Sequence, residues 1–474
     1  MSTDGTATGS RRARSRRRRL RAYVGAFAGI VALLVVIGLA GGAVGTLQGP
    51  RVTDVQFDAD AAVSASGSRL ILTTSQSLQE IDPSQVTITP AVDMTVSTSG
   101  RQIGIRFALP LYDAMTYTVT IAGVTGTGGG PVSTITETIT TPSLTVYMLQ
   151  RSDEGDTVYR TGLDGAAAVP VYTASHIEDF RATTSYLVMS IRTDDDRPAL
   201  VVTDLDGQDA RELPLPGDGT GTVQELGSAD TGDVIGYTYT DADPAAAGAL
   251  TSALFTASLK PADADAAPTA IQAAGATVEA ADWRFVPDTD SILVLSFGGR
   301  LLLTPPDGSN VVDLGDAAQI EGIARGSATA VVLRTDGYYT VDLSDGATTP
   351  LVGATGVEGS IGAILPLPGG TTLREISAAD GMSGADVYLV AADGTPTHVF
   401  ETAATDALLQ TCVSPSGRYA AFLVQPDAAG NPYVTGYDLP VPTTVETHVV
   451  DLDDGSEVSA LGAFAISWCQ VPLQ

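Results

Sequence analysis

The sequence predicts an all-β protein in which an N-terminal transmembrane helix precedes a small β-sandwich and a β-propeller. Three observations lead to this prediction. The 474 residues include 51 glycines, a share above the ~7% of average proteins that is typical of turn-rich chains. Short alternating strands separated by turns fill residues 51–142. A strand-and-turn phrase then recurs through residues 143–474, which predicts seven propeller blades, with six or eight as alternatives.

The N-terminus combines a basic tail with an uncharged segment. Residues 1–21 contain eight arginines and one acidic residue, and residues 22–50 contain no charged residue. The apolar core of that segment, residues 22–42, is long enough at ~1.5 Å per residue to cross a bilayer as a helix. We therefore predict a cytoplasmic tail over 1–21, a helix over 22–46 that spans the cell membrane, and an extracytoplasmic body.

Other interpretations of this region remain open. The small residues that follow Ala40 would suit a signal peptidase, so the segment could be a cleaved signal peptide. The arginine run also loosely resembles a twin-arginine export signal, which would imply export of a folded body. The basic tail could in addition bind anionic lipid or a cytoplasmic partner.

Residues 51–142 predict the strands of a small sandwich. The strand Tyr117–Ile121 alternates apolar residues with threonines, which indicates one buried and one solvent-exposed face. Together with the strands Leu72–Leu78 and Val86–Pro90, this order resembles the Ig-like domain of bacterial surface-layer proteins. Gly126 stands where that family often has an acidic residue. The resemblance implies a spacer or adhesive module without catalytic residues.

The propeller prediction rests on a phrase in which an apolar strand leads into an Asp-Gly turn. Asp accepts hydrogen bonds from the backbone of such a turn, and Gly supplies the positive φ. A degenerate seventh copy lies around Leu259. The spacing suits the ~40–50 residues of a four-stranded blade. The six clear copies end at Gly165, Gly207, Gly308, Gly346, Gly394 and Gly455.

A second phrase supports the propeller and predicts how its ring closes. The segment Cys412–Phe422 joins two apolar strands through a tight turn, and it resembles blades of TolB-like and prolyl-oligopeptidase-type propellers. The strand around Ala465 has the form of one more opening strand, so we expect it to complete the ring. Cys412 and Cys469 occupy similar places in successive copies, which predicts a disulfide across the closure, with two separate buried thiols as the alternative.

The sequence predicts no catalytic, cofactor-binding or metal-binding residue. His176, His398 and His448 fall in three different repeat copies, and no Gly-x-Ser-x-Gly or phosphate-binding glycine motif occurs. Acidic clusters such as Asp194–Asp196 are typical of turns, with calcium binding as the alternative. The net charge of −30 predicts that nucleic acid is not a partner.

One long segment suggests recognition of a partner. Residues 427–442, inside the last repeat, exceed what a hairpin needs and carry Tyr433 and Tyr437 among Gly and Pro residues. Tyrosine offers contact area at a low entropic cost, so we consider these two residues as a partner-binding loop. The alternative is a loop that folds back over the propeller face.

These features predict a membrane-anchored, non-enzymatic binding or scaffolding protein of the bacterial cell envelope. Its propeller would recognise an envelope protein or a glycan. The alternative is a small-ligand sensor or an enzyme that uses the central pocket of the propeller. The segments Val445–Gly455 and Ser467–Cys469 resemble a family of uncharacterised, membrane-anchored envelope proteins of GC-rich Gram-positive bacteria. That resemblance implies no particular activity.

Overall fold

The computed structural model describes residues 27, 30–35, 49–377 and 384–471. Residues 27 and 30–35 are α-helical. None of the helices within these ranges is both long enough and apolar enough to cross a membrane. The predicted basic tail and most of the predicted transmembrane segment, residues 22–46, lie outside the described residues.

The chain is all-β, as predicted, and divides into two compact units. The first comprises Met1–Phe57, Arg69–Arg106 and Tyr117–Ile139, and the second comprises Asp58–Ser68, Phe107–Thr116 and Thr140–Gln474. The short helices are α1 (Ala59–Ser64) and the 3-10 turns Pro83–Gln85, Pro261–Asp263 and Pro368–Gly370.

Two antiparallel sheets account for residues 52–140. The alternation around Tyr117 is confirmed, because Tyr117, Val119 and Ile121 are buried while the intervening threonines are not. In strand order, the four-stranded sheet holds β1 (Val52–Phe57), β2 (Arg69–Thr74), β5 (Gln102–Phe107) and β4 (Met94–Ser99). The three-stranded sheet holds β3 (Val86–Thr89), β6 (Thr116–Val124) and β7 (Ser133–Thr140).

Seven four-stranded antiparallel sheets follow within the described residues, and we number them blades 1 to 7 along the chain. Blade 1 contains β39 (Phe464–Ile466), β8 (Thr145–Gln150), β9 (Asp156–Gly162) and β10 (Val169–Ala174). Blade 2 contains β11 (His176–Ala182), β12 (Tyr186–Arg192), β13 (Pro198–Asp204) and β14 (Arg211–Leu213). Blade 3 contains β15 (Thr222–Ser228), β16 (Val234–Thr240), β17 (Ala253–Ser258) and β18 (Thr269–Ala270). Blade 4 contains β21 (Ala280–Phe285), β22 (Ile292–Ser296), β23 (Arg300–Thr304) and β24 (Val312–Asp316).

The remaining blades repeat the same order. Blade 5 contains β25 (Gln319–Ile323), β26 (Thr329–Arg334), β27 (Gly337–Asp342) and β28 (Thr348–Pro350). Blade 6 contains β29 (Ser360–Pro366), β30 (Thr372–Ser377), β31 (Ala385–Val390) and β32 (Pro396–Glu401). Blade 7 contains β33 (Ala407–Val413), β34 (Tyr419–Gln425), β37 (Glu446–Asp451) and β38 (Glu457–Leu461). Two small hairpins pair β19 (Gln272–Ala273) with β20 (Ala276–Thr277) and β35 (Tyr433–Val434) with β36 (Val441–Pro442).

The last strand closes the ring of blades. β39 pairs antiparallel with β8, so blade 1 combines three strands from the start of the propeller with one from its end. The predicted disulfide between Cys412 and Cys469 is present and joins the Cα atoms of β33 and the segment after β39 at 5.3 Å. This arrangement removes the open sheet edge that an unclosed ring would expose.

The Asp-Gly phrase marks the same hairpin in each blade. All six clear copies connect the third strand of a blade to its fourth, and the degenerate copy around Leu259 lies at the same place in blade 3. The six glycines have positive φ, from 66° at Gly308 to 87° at Gly394. A Cβ at Gly207 would lie 1.7 Å from the carbonyl oxygen of Val171, so the turn there tolerates only glycine.

The inner strand of each blade, β39, β11, β15, β21, β25, β29 or β33, shapes the centre of the ring. Successive inner strands from β11 to β33 contact one another. Each of the seven described inner strands carries a register shift of the β-bulge type. A bulge interrupts the alternation of side chains and changes their direction, so the strand pattern does not predict which way the residues at these positions point.

Candidate binding cavity

A cavity of about 170 Å³ lies where the inner strands end and turn back into the second strand of each blade. All seven blades contribute to its lining, from Arg181 of blade 2 through Val413 of blade 7 to Trp468 and Gln470 after β39. Its volume is below the ~300–1,000 Å³ of sites that enclose a drug-sized ligand. The space therefore suits one side chain or one end of a longer ligand.

Both tryptophans of the chain line this cavity. Trp283 is 3% exposed and meets Phe285 edge to face, with ring centroids 5.3 Å apart. The sequence leaves room for its ring, since a Cβ at Gly227 would lie 2.7 Å from Trp283 Cη2 and one at Gly236 would lie 2.6 Å from it. The indole nitrogens of Trp283 and Trp468 are buried and have no hydrogen-bond partner among the described residues.

The same three-residue unit occurs in blades 2 and 4 at the bulge of the inner strand. In Asp179-Phe180-Arg181, the guanidinium Nη1 donates to Asp179 Oδ1 at 2.5 Å and to the Phe180 carbonyl at 2.6 Å. Arg284 Nη1 likewise donates to Asp282 and, at 2.6 Å, to the Trp283 carbonyl. Each arginine thus has its own carboxylate partner. The Nε atoms of both remain buried and unpartnered within the described part of the chain.

Two glutamates of the lining lack such a partner. Glu225 lies in the bulge of β15 at φ 50°, and its Oε2 is buried without a hydrogen-bond partner in the described structure. Glu321 is 8% exposed, and its Oε2 accepts a hydrogen bond from the Ile364 backbone at 3.2 Å. Neither carboxylate forms an ion pair with a described residue.

Burial controls the ionisation of these glutamates. It raises the pKa of Glu225 to about 7, with the charge of Asp282 acting in the same direction and that of Arg284 against it. Burial raises the pKa of Glu321 to about 7 as well, although the backbone N–H of Ile364 favours the ionised form. Burial also raises the pKa of Asp282. The cavity therefore holds carboxyl groups that change charge near neutral pH.

Two ion pairs that share Arg325 connect three blades beside the cavity, whose lining includes Asp230 and Arg325. Arg325, after β25, lies 2.8 Å from Asp230 and 2.8 Å from Asp288, which follow β15 and β21. The two lining serines have no histidine beside them, because no histidine is among the residues that line the cavity. Ser228 Oγ instead accepts a hydrogen bond from Gln470 Nε2 at 3.1 Å.

Segment 427–442 lies at the other end of the ring, where the inner strands begin. Tyr437 donates its hydroxyl hydrogen to Asp156, whose Oδ1 and Oδ2 are 2.9 and 3.0 Å away. The Arg151 guanidinium stacks 4.1 Å above the Tyr437 ring, and the His176 ring lies 4.1 Å from it. Asp438 forms an ion pair with Arg192 of blade 2. This half of the segment therefore folds back over the propeller.

Tyr433 differs from Tyr437 in its surroundings. It is 50% exposed, and its hydroxyl donates to Gln425 Oε1 at 2.9 Å. It starts the small hairpin of β35 and β36. A role of Tyr433 and Tyr437 in binding a partner stays a prediction, with Tyr433 the more accessible of the two.

Another cluster lies on the outer strands of blade 6, away from the cavity. Asp386, His398 and Glu401 place one ligand atom each within 4.8 Å of one another, with His398 Nε2 3.0 Å from Asp386 Oδ1. His398 and Glu401 are exposed. These three residues are separated in the sequence without metal-ligand spacing, so the sequence did not predict that they meet.

Sequence reasoning also did not identify the cavity residues. One signal was available in the repeated Asp-aromatic-Arg unit of Asp179–Arg181 and Asp282–Arg284. A second was the position of both tryptophans next to, or within, opening strands of the repeat.

Comparison with known proteins finds similarity to solved structures at low sequence identity. No protein-family model matches it, and no curated protein does. A putative TolB from Agrobacterium tumefaciens is similar at 13% identity, with 68% of this chain and 90% of that chain covered and a TM-score of 0.36. An oligogalacturonate lyase in complex with manganese is 12% identical over 77% of this chain and 96% of that chain, with a TM-score of 0.44.

A prolyl endopeptidase structure is also similar, at 12% identity and a TM-score of 0.45, over 79% of this chain and 50% of that chain. At these identities and TM-scores the similarity says nothing about chemistry. The propeller assignment rests on the strand pairing described above.

Proposed function

We propose that the chain is a non-enzymatic binding protein of the bacterial cell envelope that holds its ligand in the central cavity of the propeller. The observation that supports this proposal is that all seven blades and both tryptophans contribute to the lining of one cavity. Buried donors there lack partners among the described residues: Arg181 Nε, Arg284 Nε and the two indole nitrogens. A buried polar group without a partner costs ~1–3 kcal/mol, and a ligand that accepts its hydrogen bond would recover that energy.

The proposal includes an anchored topology. The arginine-rich residues 1–21 and the uncharged residues 22–46 support a single-pass helix with a cytoplasmic N-terminus. We further propose that residues 51–142 form an Ig-like spacer and that residues 143–474 present the propeller to an envelope protein or glycan. The strand alternation and the two small sheets over residues 52–140 support the spacer.

Binding is favoured over catalysis by the composition of the site. The cavity offers carboxyl groups with pKa values near 7, which could exchange protons with a substrate. No nucleophile is paired with a base among its lining residues, and both serines of the lining contact other groups. The indole rings and ionic groups of the lining can bind a ligand. They do not define a step in which a bond is broken.

A photo-crosslinking experiment in cells tests the binding site. Phe285, in the cavity, would be replaced by p-benzoylphenylalanine in the full-length chain, and Phe297, which is 64% exposed and outside the lining, would serve as the matched control. We expect a covalent adduct from position 285 only, and its loss in the Trp468→Ala background. No adduct at position 285, or equal adducts at both positions, would overturn the proposal.

Alkaline extraction of membranes tests the anchor separately. We expect the full-length chain to remain with the membrane pellet and a variant without residues 1–46 to be soluble. A mature chain that begins after residue 40 and leaves the membrane would instead establish the signal-peptide alternative.

A further inference from the structure

We propose that the cavity takes the basic side chain of an extended peptide, with its ammonium or guanidinium group next to Glu225 and Glu321. This inference rests on the proposed function and names the ligand class of the same site. It follows from the distribution of charge, the aromatic groups and the size of the cavity.

The first step is the charge pairing inside the cavity. Every arginine of the lining already has a carboxylate partner outside the pair of glutamates. Glu225 and Glu321 therefore contribute two carboxyl groups that form no ion pair with a described residue, although the charge of Arg284 acts on both. An uncompensated buried carboxylate is unfavourable, and an incoming cation would neutralise it. A ligand that supplies one or two positive charges fits this surplus.

The second step is the position of the tryptophans. Trp283 lines the cavity and is only 3% exposed. Its Nε1 has no hydrogen-bond partner among the described residues. Indole faces attract ammonium and guanidinium groups through their ring quadrupole. The unpartnered N–H groups of Trp283, Trp468 and Arg181 are donors, and peptide carbonyls are the acceptors that would match them.

The third step is the apolar wall and the volume. Leu226, Ile323, Leu365 and Val413 line the cavity, together with Pro287, Pro366, Pro368 and Pro415. Such a wall favours a hydrocarbon stem over the hydroxyl groups of a sugar. A cavity of about 170 Å³ accommodates one long side chain rather than a folded partner. Lysine and arginine combine an apolar stem with a terminal cation.

The pH dependence of binding follows from the surroundings of the two glutamates. Asp282 and Arg284 of β21 act on both glutamates, and the charge of Glu321 acts on Tyr338 of β27. The Arg181–Asp179 pair lies on β11, which contacts β15. Since the glutamates ionise near pH 7, attraction for a cation increases as the pH rises through neutrality.

Tryptophan fluorescence of the full-length chain in detergent tests the inference directly, because both fluorophores lie in the cavity. The probes are Nα-acetyl-L-lysine methylamide and Nα-acetyl-L-norleucine methylamide, which differ in the ammonium group. We expect saturable quenching by the lysine probe and at least tenfold weaker binding of the norleucine probe. We also expect the affinity for the lysine probe to rise between pH 5.5 and pH 8.

Charge variants test whether Glu225 and Glu321 are responsible for binding the lysine probe and for its pH dependence. The Glu225→Gln/Glu321→Gln double variant should bind the lysine probe at least tenfold more weakly and lose the pH dependence. Glu154→Gln/Glu358→Gln removes the same charge from exposed positions and should bind like the parent. The pH profile of the unmodified chain keeps the test valid if the cavity variant is poorly folded.

The outcomes separate this inference from the proposed function. Equal affinity for the lysine and norleucine probes, or preferential binding of glucosamine over both, would overturn the basic-side-chain ligand while the Phe285 adduct still stood. The absence of an adduct at Phe285 would overturn the proposed function itself.

Discussion

The two ends of the propeller ring treat buried charge differently. Where the inner strands begin, Arg151 is enclosed by the Tyr437 ring and donates to the Glu178 carbonyl at 2.8 Å, while the Glu178 carboxylate pairs with Arg192. Where they end, Glu225 and Glu321 line a cavity and form no ion pair with a described residue. The covered end therefore pairs its carboxylates, although Arg151 Nε and Nη1 stay buried without a partner among the described residues, whereas the open end leaves the carboxylates of Glu225 and Glu321 without an ion pair.

This difference distinguishes polar groups that stabilise the fold, at the covered end, from polar groups that are available to a ligand, at the cavity. Segment 427–442, the long insertion of blade 7, contributes the Tyr437 hydroxyl and the Asp438 carboxylate to the covered end. No described segment does the same for the cavity. The open end is also where the ring is closed, since the disulfide and the segment after β39 form part of the cavity wall.

The largest expected effect concerns this closure. Replacing both Cys412 and Cys469 with serine should lower the free energy of unfolding by about 2–4 kcal/mol, because the bridge constrains a loop with a sequence separation of 57 in the unfolded chain. Urea unfolding of the full-length chain under non-reducing conditions measures the change. An unchanged midpoint would show that β39 pairing alone closes the ring.

A matched pair of glycine substitutions compares the packing of the two ends. Gly227→Ala would place a Cβ 2.7 Å from the Trp283 ring, and we expect a loss of about 1–3 kcal/mol with a shift in tryptophan emission. Gly436→Ala at the covered end would meet His176 at an ordinary 3.4 Å and should change the stability by less than about 0.5 kcal/mol. Equal losses in thermal unfolding would contradict the described placement of Trp283.

The repeat and the ring closure were predictable because their chemistry is local. Asp164 Oδ1 accepts from the Ala166 backbone at 3.0 Å, and Asp454 Oδ1 accepts from the Ser456 backbone at 2.9 Å, as expected of Asp-Gly turns. A few consecutive residues determine each turn, so its recurrence is evident in the sequence. The extra strand at Ala465 repeats the same pattern at the end of the chain, which made the closure and its disulfide visible.

The cavity was not predictable in this way because its residues are distant in sequence and meet only in the closed ring. Bulges add a second obstacle, since they break the alternation from which side-chain direction is inferred. Glu225, with φ 50° inside β15, is an example. The sequence alone could not predict for a related reason whether segment 427–442 folds back over the propeller. Tyr437 has a structural role only once Arg151 and Asp156 of blade 1 are brought next to it.

The open end should make stability depend on pH. Both glutamate pKa values rise from 4.5 to about 7 on folding, so the stabilisation they give is complete below about pH 4.5 and is lost as the pH rises through 7. At pH 8, Glu225→Gln/Glu321→Gln should raise the free energy of unfolding by about 1–2 kcal/mol per site, allowing for partial solvent screening. At pH 4.5 the gain should vanish.

Urea unfolding at the two pH values measures this effect, with Glu154→Gln/Glu358→Gln as the control that removes exposed carboxylates. A gain of equal size in the control, or one that persists at low pH, would attribute the effect to overall charge. The open end would then be no different electrostatically from the rest of the surface.

The smallest expected effect belongs to the covered end. Tyr437→Phe keeps the ring beneath Arg151 but removes the hydrogen bond to Asp156, which should cost about 1 kcal/mol and speed amide hydrogen exchange in residues 427–442 about fivefold. Tyr433→Phe removes a hydrogen bond of similar length from a half-exposed residue, where water replaces the partner, and should change exchange little. Equal effects of the two variants would mean that the whole segment is held as one unit. In that case neither tyrosine would be free for a partner, whereas unequal effects leave Tyr433 available while Tyr437 holds the segment in place.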